Sequence, residues 1–284
     1  LNGSIPFGKK TLIMGIVNMS PDSFYGGSRI LGTGRGAVRE AVDRALRFEE
    51  WGADIVDIGG ESTRPGSRPI SVEEELGRIY PVIDEVRKRT GLLVSVDTYK
   101  TEVALRVLSS GIHILNNITG LSSPYSEGLG ELVAASGVYI VLMHMRGTPF
   151  DMQSHAAYDD VMKEISDELD ESVQRALAAG IDKNRIIIDP GIGFAKSAEH
   201  NLDVLRGISL LKRKGWPVLI GLSRKSFIGR YTGLDTDDRL IPTVAANAIS
   251  IFQGADIIRV HDVKEAVVTA RIADAIRGEP DGSR

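Results

Sequence analysis

The sequence predicts a (β/α)8 TIM barrel, and three observations predict it. Eight short, β-rich apolar runs recur along the chain. Helical patterns lie between them, and no shift in composition marks a linker. Strict alternation of strand and helix implies a parallel sheet. Eight such units in 284 residues favour a closed barrel, which takes about 250 residues, over an open doubly wound sheet. One domain over 1–278 is expected, followed by a disordered tail at 279–284.

The apolar runs cover 11–17, 54–58, 92–96, 113–118, 139–143, 185–188, 217–222 and 257–260. Each is almost continuously apolar, as parallel strands covered on both faces require. The helical patterns cover 35–51, 71–90, 101–109, 127–135, 158–179, 198–214, 239–253 and 264–277. In the first, Ala37, Val38, Ala41, Val42, Ala45, Leu46 and Phe48 return at spacings of three and four, the apolar stripe of a helix packed on one face. The second opens Ser71-Val72-Glu73-Glu74, a capping box in which hydroxyl and carboxylate satisfy each other's backbone N–H. Most of the patterns end near a glycine, the usual left-handed stop.

Composition narrows the function. Hydrophobic residues at 42% and charged residues at 25% fit a globular chain and not a disordered one. There is no cysteine, which excludes a disulfide framework, a thiolate nucleophile and a Cys-ligated zinc. The net charge is −4, and the strongest basic cluster, Lys212-Arg213-Lys214, reads as cations at a helix C-terminus instead of a nucleic-acid patch. No apolar stretch approaches the ~20 residues of a membrane span, and the first residues lack the regions of an export signal. A cytoplasmic protein acting on small molecules, with neither nucleic acid nor membrane as partner, is expected.

Polar residues collect where the strands end. The first run leads into Asn18-Met19-Ser20, the second into Gly59-Gly60-Glu61-Ser62-Thr63-Arg64-Pro65-Gly66, and the third ends at Asp97. The fourth holds Asn116-Asn117, the fifth ends Met143-His144, and the sixth runs into Asp189-Pro190-Gly191-Ile192-Gly193-Phe194-Ala195-Lys196. The seventh leads to Ser223-Arg224-Lys225-Ser226, and the eighth to Arg259-Val260-His261. In a barrel these ends converge on the face that carries the active site. Asp97, Asp189 and Asn116 suit a flat heterocycle with N–H donors. Lys225, Arg259 and His261, with a helix opening at Ser226, suit an anion such as phosphate.

Other motifs are weak. Gly3 to Lys10 nearly spells a P-loop but precedes a strand and has no Ser or Thr after the lysine. Gly191-Ile192-Gly193 lacks the third glycine of a dinucleotide fingerprint. His113, His155 and His200 read as structural or surface residues, and Trp51 and Trp216 as packing residues.

Taken together, residues 18–24, 59–66, 95–97, 116–118, 189–196, 221–226 and 259–263 resemble the dihydropteroate synthase family, in family order and over essentially the whole chain; GGESTRPG and SRKS are the most specific segments. The resemblance implies condensation of 6-hydroxymethyl-7,8-dihydropterin pyrophosphate with para-aminobenzoate, with Mg2+ as cofactor. It implies pterin contacts at Asp97, Asn116, Met143, Asp189 and Lys225, and pyrophosphate contacts at Thr63, Arg259 and His261. Arg64, Lys225, Arg259 and His261 would be catalytic. Asn18 would ligate Mg2+, and Phe24, Pro65, Phe194 and the Ser226 backbone would hold the aminobenzoate. The loops at 20–27 and 61–68 would close over the substrates. Two positions depart from the family pattern: Phe24-Tyr25-Gly26-Gly27 lacks the usual Asp, and Asn117 replaces an Asp.

Two other functions share parts of this pattern, a methyltetrahydrofolate-dependent methyltransferase and a non-catalytic pterin-binding paralogue. The resemblance also implies a homodimer. The apolar stretch 241–252 fits either a dimer face or a buried helix.

Overall fold

The computed structural model describes residues 5–20, 34–122 and 124–278. Among them, eight parallel strands form one sheet: β1 (Leu12–Asn18), β2 (Ile55–Gly59), β3 (Leu93–Asp97), β4 (Ile114–Asn117), β5 (Tyr139–Met143), β6 (Ile186–Asp189), β7 (Leu219–Ile220) and β8 (Ile257–Val260). The order β6-β5-β4-β3-β2-β1-β8-β7 becomes a barrel at the β6–β7 seam. There an isolated bridge joins Ile188 to Val218, and Ile188 N donates to the Pro217 carbonyl at 2.9 Å.

The helices follow the alternation: α1 (Arg35–Trp51), α2 (Val72–Arg89), α3 (Thr101–Leu108), α4 (Leu129–Ser136), α5 (Val161–Ala178), α6 (Ala198–Arg206), α7 (Ile208–Lys212), α8 (Ser226–Thr232), α9 (Leu240–Phe252) and α10 (Val263–Arg277). The pattern expected as one helix over 198–214 is broken at Gly207, which ends α6 and precedes α7. The seventh strand is shorter than its apolar run. Pro217 has no N–H to pair, and Ser223 already hydrogen-bonds His261 across the mouth. The expected capping box at Ser71 is half formed. Ser71 accepts from Glu74 N at 3.1 Å, but the Glu74 carboxylate goes to Arg78 at 2.6 Å. A full capping box forms instead at Ser197 and His200.

Two cores follow from strand periodicity. Outward residues such as Val56, Ile58, Val94, Val96 and Ile188 pack under the helices. Inward residues Met14, Ile55, Ile114, Val141, Ile187, Leu219 and Ile257 fill the barrel. Two residues further along each strand the side chain again points inward. Those positions are Ile16, Asp57, Asn116, Met143, Asp189, Gly221 and Arg259, so the filling turns from apolar to polar toward the strands' C-terminal ends.

Candidate functional site

The polar end of the barrel opens on a cavity lined by Asn18, Thr63, Arg64, Asp97, Phe194, Lys225, Arg259 and His261, among others. These eight sequence-predicted residues come from six different strand ends. Asn116, Met143 and Asp189 lie just below, buried on β4, β5 and β6. Met143 packs with Tyr99 and Ile118, and Phe194 lies against them. Pro65 is exposed on the loop after β2, and Ser226 is exposed at the start of α8; neither lines the cavity. Phe24, with the altered stretch Tyr25-Gly26-Gly27 and most of the loop at 20–27, lies outside the described residues, as does the tail at 279–284.

Arg259 organises the floor. Its Nε donates to Asp57 Oδ2 at 2.7 Å and its Nη2 to Asp97 Oδ2 at 3.0 Å. The same Asp57 oxygen takes Asn116 Nδ2 at 3.1 Å. Asp57 is fully buried and is the residue that the motif reading missed. A charge at the centre of the run Ile55-Val56-Asp57-Ile58 was the available signal, because a buried carboxylate needs a cation or hydrogen-bond donors. Burial pushes Asp97 up, and Asp57, Glu75 and Glu61 add to this, while Arg259 pulls it down.

Asp189 is likewise raised by burial, against the Gly191 N–H and the charges of Lys225, Arg259 and Lys196. Its Oδ1 accepts from Gly191 N at 2.7 Å. Gly191 has φ +69°, and a Cβ there would collide with the His144 carbonyl, so the chain can turn away from β6 there only as glycine. Lys225 donates to the Ile192 carbonyl, and burial lowers its ammonium to about 7, with Asp189 opposing.

The side of the cavity that carries Ser223, Lys225 and His261 is equally ordered. His261 N donates to Ser223 Oγ at 3.2 Å, and His261 Nδ1 is 2.9 Å from the same oxygen. Burial, then the cations of Arg259, Arg224 and Lys225, lower His261 to about 3. The ring is therefore neutral at physiological pH. With the Ser223 hydroxyl donating to Nδ1, its proton is assigned to Nε2. Arg224, at φ 56°, anchors the loop that carries Lys225 through a bidentate pair with Asp262 at 2.8 and 2.9 Å.

The loop after β2 is tied down from beneath. Glu61 accepts from Tyr99 OH and from Lys100 Nζ, both at 2.6 Å, and Lys100 also meets Glu75 at 2.8 Å. This fixes the base of the segment carrying Thr63 and Arg64. Asn117, where the family pattern has Asp, is fully buried. Its Oδ1 accepts from Thr119 N, Thr119 Oγ1 and Leu121 N at 3.0–3.3 Å. The substitution therefore falls on a turn-holding residue, one position along the strand from the inward-facing Asn116.

The arrangement offers buried carboxylates and an amide at depth, and cations with an imidazole at the rim. No group of three or more His, Asp or Glu side chains among the described residues converges on a metal position. Asn18 Oδ1 is a lone amide oxygen on the cavity wall. Such a donor fits Mg2+ only where substrate phosphates and water supply the other ligands.

The model of pterin binding enzymes matches residues 14–261. The Escherichia coli K12 dihydropteroate synthase is 41% identical over 272 residues, covering 96% of this chain and 94% of that protein. The Yersinia pestis dihydropteroate synthase in complex with a sulfonamide drug superposes with TM-score 0.89 at 40% identity, covering 95% of each chain. The Xanthomonas albilineans dihydropteroate synthase in complex with 7,8-dihydropteroate gives TM-score 0.82 at 40% identity, again covering 95% of each.

Proposed function

The chain belongs to the pterin binding enzyme family, among its dihydropteroate synthases, and we propose how its barrel mouth divides the work of that transferase. The reaction joins 6-hydroxymethyl-7,8-dihydropterin pyrophosphate to para-aminobenzoate, giving 7,8-dihydropteroate and pyrophosphate in folate synthesis. The observation that carries the assignment of roles is the Arg259 fork. One guanidinium spans Asp57 and Asp97 beneath a cavity whose rim holds Lys225, His261, Thr63 and Arg64.

Asp189 accepts two hydrogen bonds from the guanidine-like edge of the pterin. Asp97 and Asn116 take further ring nitrogens, Lys225 the carbonyl side, and Met143 one face of the ring. Arg259, His261 and Thr63 hold the pyrophosphate, with Arg64 closing over it. Phe194 and Pro65 wall the aminobenzoate, and the Ser226 backbone N–H meets its carboxylate; Phe24, which the family resemblance assigns to the same ring, lies outside the described residues.

These roles need no covalent nucleophile. The C–O bond between the pterin's exocyclic carbon and the pyrophosphate breaks first, the electron-rich dihydropterin stabilising the positive charge left on that carbon; the arylamine nitrogen then bonds to it and sheds a proton. Arg64, Lys225, Arg259 and the neutral His261 stabilise the charge that develops on the leaving group. Asn18 would hold Mg2+, which when bound supplies Lewis-acid neutralisation of the pyrophosphate.

The homodimer reading rests on α9. Its buried residues include Thr243, Asn247 and Ser250, while Ile241, Ile249 and Phe252 are 79%, 58% and 61% exposed. Beside it α10 exposes Val268, Ile272 and Ile276. An inverted helix next to a second apolar stripe fits a subunit interface. The cytoplasmic reading rests on the absence of cysteine; no helix among the described residues is long and apolar enough to cross a membrane.

The test is a coupled assay with pterin pyrophosphate, para-aminobenzoate and Mg2+. Pyrophosphate release that depends on all three is expected. Tight pterin binding without release would instead support a non-catalytic pterin binder.

A further inference from the structure

The loop between β6 and α6 is gripped by a lysine on each side. Lys225 donates to the Ile192 carbonyl, and its ammonium lies 4.5 Å from the Phe194 ring centroid. Behind the loop, the buried Lys196 donates to the Phe194 carbonyl at 3.0 Å and meets His144 Nδ1 at 2.9 Å. A lysine gives hydrogens to both, so Nδ1 accepts and the imidazole proton sits on Nε2. That nitrogen is 2.9 Å from Glu168 Oε2. Glu168 in turn takes Arg146 Nε at 2.9 Å. Arg146 lies 4.1 Å over the ring of Tyr158, whose hydroxyl donates to the Ala195 carbonyl at 2.9 Å.

The chain of contacts leaves the loop at Lys196 and returns to it at Ala195. Ala195, one of these two anchors, holds φ 48°, a left-handed conformation that an alanine keeps only where its surroundings impose it. Burial lowers His144 to about 4, so the imidazole remains a neutral, directional link at physiological pH.

We propose that Lys196, backed by His144 and Glu168, is a positioning residue for the aminobenzoate: it sets the Phe194 ring against the incoming arylamine without touching either substrate. The proposal rests on Phe194 walling the aminobenzoate site. Asp189 keeps the Gly191 N–H, Lys225 and Arg259 when Lys196 is removed, so pterin binding is largely preserved.

The experiment is two-substrate kinetics, with calorimetry of pterin pyrophosphate, on Lys196→Met, Phe194→Ala, Glu168→Gln and the double variant Lys196→Met/Phe194→Ala. Lys196→Met should raise KM for aminobenzoate roughly tenfold, as a small misplacement of a positioning group does, with pterin pyrophosphate Kd within about threefold. Adding Lys196→Met to Phe194→Ala should raise KM no further, because both act through one ring. An unchanged aminobenzoate KM in Lys196→Met, beside a raised one in Phe194→Ala, would overturn the proposal and leave the Phe194 assignment standing. An unchanged KM in Phe194→Ala would remove the premise and the proposal with it. Should Lys196→Met fail to fold, Glu168→Gln carries the test at the outer end of the chain. A rise of roughly threefold in the same KM supports the proposal, and an unchanged value overturns it.

Discussion

Asp57 and Arg259 stand on barrel strands 202 residues apart in the chain, and Arg259 Nε donates to Asp57 Oδ2 at 2.7 Å. That oxygen also holds Asn116, so one buried carboxylate orients a residue assigned to the pyrophosphate and one assigned to the pterin. Asp57→Asn keeps an acceptor but removes the charge that compensates Arg259, leaving Asp97 as the partner that neutralises it. Calorimetry should show pterin pyrophosphate affinity down roughly tenfold, about 1.4 kcal/mol. Unchanged affinity in a folded variant would deny Asp57 this role.

Asp189→Asn should abolish tight pterin binding. The change turns one acceptor of a bidentate pair into a donor facing a donor. It also removes the charge assistance, and together these cost roughly 3 kcal/mol or about a hundredfold in Kd. Wild-type affinity by calorimetry would show that the pterin edge faces another residue.

Pterin pyrophosphate binding should weaken as pH rises above about 7. Burial holds the free Lys225 at about 7, and an arriving anion raises it. Above pH 7 the complex therefore binds more protons than the free protein, and each further unit of pH lowers affinity, by up to tenfold. Calorimetry at about pH 8 in buffers of different ionisation enthalpy should reveal proton uptake, and Lys225→Met should flatten the profile. Proton release on binding would contradict the assignment.

Ala195→Gly should stabilise the fold. Relief of the left-handed alanine returns about 1 kcal/mol or more, and the added freedom of glycine in the unfolded chain takes back about 0.4–1 kcal/mol. The net gain expected in urea denaturation is up to about 1 kcal/mol. A lower midpoint would mean that the Ala195 methyl packs better than its backbone strains.

Ile249→Asp together with Phe252→Asp should leave the barrel folded and shift the protein toward monomer in sedimentation, since charges would then occupy the exposed apolar face of α9. An unchanged sedimentation coefficient would point to another subunit interface or to none.

Much of the site was legible because barrel strands deliver their C-terminal residues to one face. Asn18, Asp97 and Arg259 could be named from the places where apolar runs end. Asp57 was signalled only by a charge inside an apolar run, which demands a buried partner but does not say which until the cation opposite it is known. The Lys196–His144–Glu168 chain was hidden for a related reason. Its members are ordinary polar residues near strand ends or on a helix, and only their distances make them a unit. Helix α9 shows the same limit. An apolar sequence fits burial or association equally well, and which face turns inward depends on the inward-facing Thr243, whose hydroxyl accepts from Arg224 N at 3.1 Å.

The sequence by itself determined the alternation of strand and helix, the barrel, and the identity of most rim residues, because periodicity, caps and strand ends are local properties of the chain. The tertiary structure alone decided which charges meet. Asp57, Asp97 and Arg259 come from different strands, and a buried charge takes its partner from whatever the barrel's closure and stagger bring within about 3 Å.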